Sequence, residues 1–378
     1  VKMIKFLHCA DLHLDSPLAA LDPRRAQVRR NEFRAAFTSL TLYAKMNKLD
    51  FLLISGDLFD SEFVSKETIA LLKREFAGIP DCEVIIAPGN HDPYTSTSFY
   101  RRADFTPNVH IFDTDELSRF DFSEKNTSVY GYAFTSTELD RCPFAGTHPT
   151  DSSKINILMA HGEIGKSVST NCPIPNDALA STGYDYAALG HYHDFSGVKQ
   201  LGTTYYAYSG CLEGRGFDES GEKGAVIGMA DKSGGHLEFG AKFIRFSKVH
   251  YESARLDITG CRTNADVVGM LAGMIAEKKF GDDTALRVRL TGSVAGELRI
   301  SEDFIASQFP RLFLLELDDD TLPLLDAEKL KRDPTIRGAF YETLRPMLES
   351  RDESERELAA SALRYGLAAI TGGDITDF

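Results

Sequence analysis

Five short segments of this chain each set a polar or ionisable side chain directly after a brief apolar run. They are Asp11-Leu12-His13, Gly56-Asp57-Leu58-Phe59-Asp60, Gly89-Asn90-His91-Asp92, His161-Gly162 and Gly190-His191-Tyr192-His193. The runs before them (residues 3–9, 50–54, 83–87, 155–160 and 184–189) are strand-sized. In layered α/β folds, sites gather at the carboxyl ends of strands. The pattern therefore predicts an α/β protein in which five strand ends converge on one place. Asp22-Pro23 predicts a helix start, with Phe33, Phe37, Leu40 and Ala44 at helical spacing over residues 24–48. A second helix is expected over residues 65–77. After Gly190 shorter strands with glycine-rich turns continue to about residue 246, so the first domain reads as a β-rich sandwich with helices outside.

Asp11, His13, Asp57, Asn90, His161, His191 and His193 make a mixed oxygen and nitrogen ligand set. It is too large for one tetrahedral zinc. It suits two adjacent divalent cations sharing a carboxylate, the arrangement that clamps a phosphoryl group during hydrolysis. Side chains two apart on extended backbone point the same way, so Asp11 with His13, and His191 with His193, are expected to aim in pairs. Asp57, after a glycine, is the expected shared ligand. His91 is the spare imidazole and the candidate acid for the leaving alkoxide. Asp60 is expected to hold the His91 tautomer. Each motif alone is a common turn; their joint occurrence after strands carries the argument. His8, His110, His148, His236 and His250 read as ordinary loop residues or caps, and Asp15 and Asp92 as turn or supporting residues.

The length of 378 residues predicts two or three domains. Hydrophobic and charged fractions of 43% and 26% are those of a globular protein. No apolar run approaches a membrane span, and residues 3–13 leave no room for a signal peptide. The six cysteines contain no Cys-x-x-Cys pair, which fits an intracellular chain with reduced thiols, so a cytoplasmic location is expected. A net charge of -14 disfavours gripping nucleic acid over the whole surface. A DNA substrate would need the metals, a partner or a local basic patch. The candidate patch is Arg24, Arg25, Arg29, Arg30 and Arg34, set against the plainer reading of a solvated helix face.

Residues 250–317 read as a βαβαβ unit with none of the metal motifs. Asp333-Pro334 is expected to open a helix that Pro346 interrupts. Ser354-Glu355-Arg356-Glu357 reads as a capping box. The helix it opens carries Ala359, Leu363, Leu367 and Ile370 on one face, stops at Gly372-Gly373, and suits either packing on its own domain or docking on a partner.

These motifs resemble the calcineurin-like metallophosphoesterase superfamily, whose pattern is Asp-x-His, Gly-Asp-x-x-Asp, Gly-Asn-His-Asp/Glu, His and Gly-His-x-His. Residues 6–17, 29–37 and 208–217, with Lys223-Gly224, resemble its DNA-repair exonuclease branch of SbcD-type and YhaO-type nucleases. The resemblance covers about residues 3–246. It implies a four-layer α/β/β/α sandwich, then a smaller α+β capping domain and C-terminal helices, with divisions at 1–246, 247–345 and 346–378. It implies two divalent ions, Mn²⁺ ahead of Mg²⁺, Fe²⁺ or Zn²⁺. One would be held by Asp11, His13, Asp57 and His193, the other by Asp57, Asn90, His161 and His191. It implies 3′–5′ exonuclease or structure-dependent endonuclease activity on DNA with a metal-bound water as nucleophile. It also implies an SMC-like ATPase partner of SbcC type, and a homodimer is a further expectation. The alternatives are a metallophosphatase or phosphodiesterase of small or protein substrates, and a scaffold with a dead site.

Overall fold

The computed structural model describes residues 3–19, 21–60, 64–295, 298–323 and 327–370. Two compact units are present, Val1–His250 and Tyr251–Phe378.

The first unit is built on two six-stranded sheets. Across one sheet lie Glu238–Arg245, Gly224–Asp231, Ile4–Cys9, Phe51–Ile54, Glu83–Ile86 and Val109–Ile111; the last four run parallel. Across the other lie Lys199–Leu201, Thr204–Tyr208, Tyr186–Gly190, Ile155–His161, Thr127–Gly131 and Ser118–Phe122, with the middle four parallel. The uninterrupted apolar runs follow from burial on both faces. Along the first sheet Phe6, Phe51, Leu53 and Ile85 enter the core shared with Ile157, Met159 and Ala188 of the second. The alternate residues Leu7, Leu52, Ile54 and Ile86 pack instead with Phe33, Phe37, Leu40, Leu72 and Phe76 of two covering helices. On the outer face of the second sheet, Leu158, Ala160 and Leu189 pack with Phe134, Phe144, Leu179 and Tyr184. The layers are thus α/β/β/α, the fourth built mainly of loops and the short helix Asn176–Ala180.

The first helix spans Pro23–Asn47. Asp22 caps it by accepting from the backbone N–H groups of Arg24 (2.9 Å) and Arg25 (3.1 Å), with Pro23 supplying a preset φ. The second helix, Lys66–Ala77, is capped by Ser65, whose hydroxyl accepts from Thr68 N–H.

The second unit holds a three-stranded sheet, ordered His250–Asp257, Thr284–Thr291 and Leu314–Asp319, with helices Asn264–Lys278 and Glu302–Ser307 between the strands. Its core gathers Val267, Leu271, Leu286, Val288, Leu290 and Ile305. Helices Ile336–Leu348 and Glu353–Ile370 follow. Three local expectations are corrected there. Asp333 and Pro334 lie ahead of the helix, whose cap is Thr335, because the Asp333 carboxylate turns to accept from Thr335 N–H. Pro346 sits inside the last turn rather than interrupting the helix. Ser354 lies within the following helix, where its N–H donates to Asp352, so it forms no capping box. Leu363 and Leu367 pack with Tyr341, Phe340 and Leu344, so the middle of the apolar stripe is buried in its own unit, while Ile370 at its end is 37% exposed. The expected stop at Gly372-Gly373 lies outside the described residues. No helix among the described residues is long and apolar enough to cross a membrane.

Candidate metal centre

The carboxyl ends of the parallel strands from both sheets meet at one edge. Asp11, Asp57 and Asn90 follow strands of the first sheet; His161 ends a strand of the second, and His191 follows another. The 11–14 and 56–58 loops are laced together: Asp11 N–H donates to Gly56 O (3.0 Å), His13 N–H to Asp57 O (3.0 Å) and Leu14 N–H to Leu58 O (2.9 Å). The extended-backbone expectation is overturned. Asp11, His13, Asp57 and His191 have φ of 53°, 43°, 52° and 106°, so each segment kinks where it leaves its strand. Left-handed backbone costs about 1–2 kcal/mol per non-glycine residue, and the loop hydrogen bonds hold it. Gly56 (φ 92°) and Gly89 are needed for close approach: a Cβ on either would overlap the His161 ring or the Asp57 carboxylate.

Asp11, His13, Asp57 and His161 are at most 1% exposed. Asp57 Oδ2 stands 3.8 Å from His13 Nε2 and 3.4 Å from His161 Nε2, facing both halves of the cluster. His193 Nε2 is 3.3 Å from His13 Nε2 and 3.9 Å from Asp11 Oδ1. Asn90 Oδ1 is 3.0 Å from His161 Nε2, and the His191 ring lies 5.3 Å from that of His161. The groups Asp11–His13–His193 and Asp11–Asp57–His161 each bring ligand atoms within 4.8 Å of one another.

The outer nitrogens decide the tautomers. His161 Nδ1 faces Ser55 O at 3.0 Å, His193 Nδ1 faces Glu219 Oε1 at 2.6 Å, and His13 Nδ1 faces Asp60 Oδ1 at 2.8 Å. Ser55 O and the Glu219 and Asp60 carboxylates only accept, which favours the proton on Nδ1 and the lone pair on Nε2; at His193 the Arg215 guanidinium, 3.2 Å from the same Nδ1, is a competing donor. Lone pairs of His13 and His193 then oppose each other, and that of His161 opposes Asn90 and Asp57 oxygens. Acceptors facing acceptors in a buried site demand a cation. Among the described residues no lysine or arginine pairs with Asp11 or Asp57. The donor set therefore fits divalent ions. With the protein alone, burial opposes charge on His161, but Asp57 outweighs it and raises the imidazole to about 9. Burial likewise opposes charge on Asp57, and His161 and His13 outweigh it, holding the carboxyl well below the usual range.

His91 stands at the rim, its side chain 45% exposed and its ring 4.9 Å from that of His13, while its N–H donates to Asp57 Oδ1 (3.0 Å). The Asp60 carboxylate stands beside both imidazoles, 2.8 Å from His13 Nδ1 and 3.8 Å from His91 Nδ1. Three residues not singled out from sequence complete the site. Glu219 holds His193, and Arg215 bridges Glu219 (2.7 Å) to Asp60 (3.2 Å). Glu163 Oε1 lies 3.5 Å from His191 Nε2. The charged run Glu213-Gly-Arg-Gly-Phe-Asp-Glu219 was the available signal. Asp92 accepts from the N–H groups of Asp57, Phe59 and Gly89 and from Tyr100 O–H, bracing both loops.

Arg29 is corrected outright as a surface contact. It is fully buried, donating to Glu32 (2.6 Å), Glu213 (2.9 Å) and Gly214 O (2.7 Å). Arg24 and Arg25 are exposed on the first helix, Arg30 is half-buried, and Arg34 turns inward onto Asp15 (2.8 Å).

The calcineurin-like phosphoesterase family matches residues 4–195, just over half of the chain. The chain belongs to that family. The family and the converging residue groups support a hydrolase with a dinuclear divalent metal site. An uncharacterized metallophosphoesterase of Bacillus subtilis, YhaO, is 28% identical over 361 residues, 89% of this chain and 86% of its own length. SbcD, a component of the SbcCD nuclease of Staphylococcus epidermidis, is 27% identical over 253 residues, 57% of this chain and 63% of its own length. The crystal structure of a dimetal phosphatase from Danio rerio matches with a TM-score of 0.39 at 11% identity, over 65% of this chain and 99% of that one. At that score it adds nothing to the family assignment.

Proposed function

We propose that this phosphoesterase is a DNA nuclease, an exonuclease of 3′–5′ polarity or a structure-dependent endonuclease, acting in DNA repair with an SMC-like ATPase. The observation that carries the chemistry is the acceptor-lined cluster with half-exposed His91 at its rim. The step from phosphoester to DNA draws its support from the SbcCD relative. In this reading Asp11, His13, Asp57 and His193 hold one ion, and Asp57, Asn90, His161 and His191 the other, with Mn²⁺ the first choice. When bound, the ion pair supplies an activated water and neutralises phosphoryl charge. His91 donates a proton to the leaving oxygen or stabilises the charge that develops there. Glu219 and Asp60 orient His193 and His13. In this reading residues 247–345 form the cap, and the exposed face of the last helix, with Leu358 and Ile370, offers the docking segment.

The net charge of -14 favours the second reading, a phosphatase or phosphodiesterase of small or protein substrates. A paired assay in Mn²⁺ separates the two. One arm uses end-labelled duplex and single-stranded DNA, the other a chromogenic monoester and diester. The nuclease reading expects DNA cleavage; turnover of the small esters with intact DNA sinks it.

A further inference from the structure

A groove of about 830 Å³ lies between the two covering helices and the segment that follows the 89–92 loop, lined by Arg30, Arg34 and Arg102 with Gln27 and Asn31. Its carboxylates are Asp15 and Glu67. Asp15 is already neutralised: it accepts from Arg34 (2.8 Å), Ser65 N–H (2.7 Å) and the Thr68 hydroxyl (2.8 Å). Three guanidiniums against two carboxylates leave the groove positive in a chain of charge -14.

Two of the arginines keep donors to spare. Arg30 gives one nitrogen to Gln27 Oε1 (2.9 Å) and another, at 3.4 Å, to Pro17 O, while Arg102 gives one to Thr97 O (2.9 Å). A guanidinium has five N–H donors in a planar fork that matches phosphate oxygens. The groove is also tied to the metal residues. Asp15 follows His13 by two residues, a span of at most about 7 Å. Ser16 donates to Asp60 (3.3 Å), the contact of His13.

We propose that this groove binds a backbone phosphate of a nucleic-acid strand whose neighbouring phosphodiester is held at the metal residues. The proposal rests on the nuclease reading and moves the nucleic-acid contact from the outer face of the first helix, Arg24 and Arg25, to Arg30 and Arg102. Arg34 is the fixed wall, its charge spent on Asp15. The local charge answers the objection raised by the overall one, because affinity for a strand depends on the phosphates contacted and not on the net charge of the molecule.

The test measures DNA binding by fluorescence anisotropy over a range of salt. It uses the full chain loaded with Mn²⁺ and carrying His91→Ala, so that the DNA is not consumed. Adding Arg30→Gln and Arg102→Gln should weaken binding about tenfold or more and lower the slope of log affinity against log salt by about 1 for each arginine removed. Melting temperature and Mn²⁺ stoichiometry check that the variants are folded. If the parent binds and the double variant keeps its slope, the groove proposal is overturned while the nuclease reading stands. Equal losses from Arg24→Gln with Arg25→Gln would also overturn it, by returning the contact to the helix face. A parent that binds no DNA, in a protein that turns over small esters, removes the nuclease reading and the groove's ligand together. Competition by inorganic phosphate alone, matched by loss of phosphate binding but not of DNA binding in the double variant, identifies a free-anion site and overturns the strand contact.

Discussion

At the scale of single residues, the centre depends on groups that touch no substrate. Arg215 joins the two carboxylates that hold His13 and His193, so it sets both imidazoles facing one ion position. Removing support of this kind typically costs 10- to 100-fold in metal affinity. Arg215→Gln is therefore expected to weaken one Mn²⁺ by about tenfold or more in a calorimetric titration, leaving the second ion close to its parent affinity. Uniform weakening of both ions would contradict the arrangement. His91 behaves oppositely. His91→Ala should keep two ions bound and lose about 10²–10⁴ in turnover, read by pairing metal analysis with ester hydrolysis. A third residue acts through protonation. His8 is fully buried, with Nε2 facing Leu189 O (3.2 Å) and Nδ1 the Tyr186 hydroxyl (2.9 Å), a neutral imidazole satisfied at both nitrogens. Burial lowers it from 6.5 to about 3. The unfolded chain takes up the proton first, so stability present above pH 6.5 is lost as pH falls toward 3. About 2 kcal/mol should be gone by pH 5. Urea midpoints at pH 7.5 and 5 check this, and the corresponding slope should be missing in His8→Gln.

At the scale of elements, what could be read from sequence was what neighbouring residues decide. Strand, then glycine, then ligand is a local pattern, and so is Asp22-Pro23 ahead of a helix. The left-handed kinks at Asp11 and His13 were not legible, because loop-to-loop hydrogen bonds impose them. Nor was the fate of Arg29, whose partner Glu213 lies 184 residues away. Five arginines on one helix look like a charged face until a distant carboxylate buries one. Glu219 and Arg215 were missed for the same reason: their roles exist only once residues 213–219 fold back onto the site. Truncating one partner of a buried charge pair costs about 3–5 kcal/mol. Arg29→Ala should destabilise by that order in urea unfolding, whereas exposed Arg24→Ala should stay within about 0.5 kcal/mol. Similar losses for both would mean that the buried pairing contributes nothing.

At the scale of the molecule, two units with separate cores divide the consequences of mutation. Leu363, 1% exposed, packs with Tyr341 and Leu367 in the second unit, whereas every candidate metal residue lies in the first. Leu363→Ala should cost about 2–5 kcal/mol in the second unit, seen as an earlier unfolding transition, with Mn²⁺ titration of the first unit unaltered. Loss of metal binding in that variant would show that the units do not stand separately.

The facing imidazoles of His13 and His193 are 180 residues apart in the chain and come from different sheets. Contacts so distant in sequence form late, because their loop-closure entropy must be met before they stabilise anything. A polypeptide emerging from synthesis has half a site until the second sheet docks on the first. An ion held there would rivet the two sheets together, strengthening the folded state by an amount that grows with the logarithm of free ion concentration.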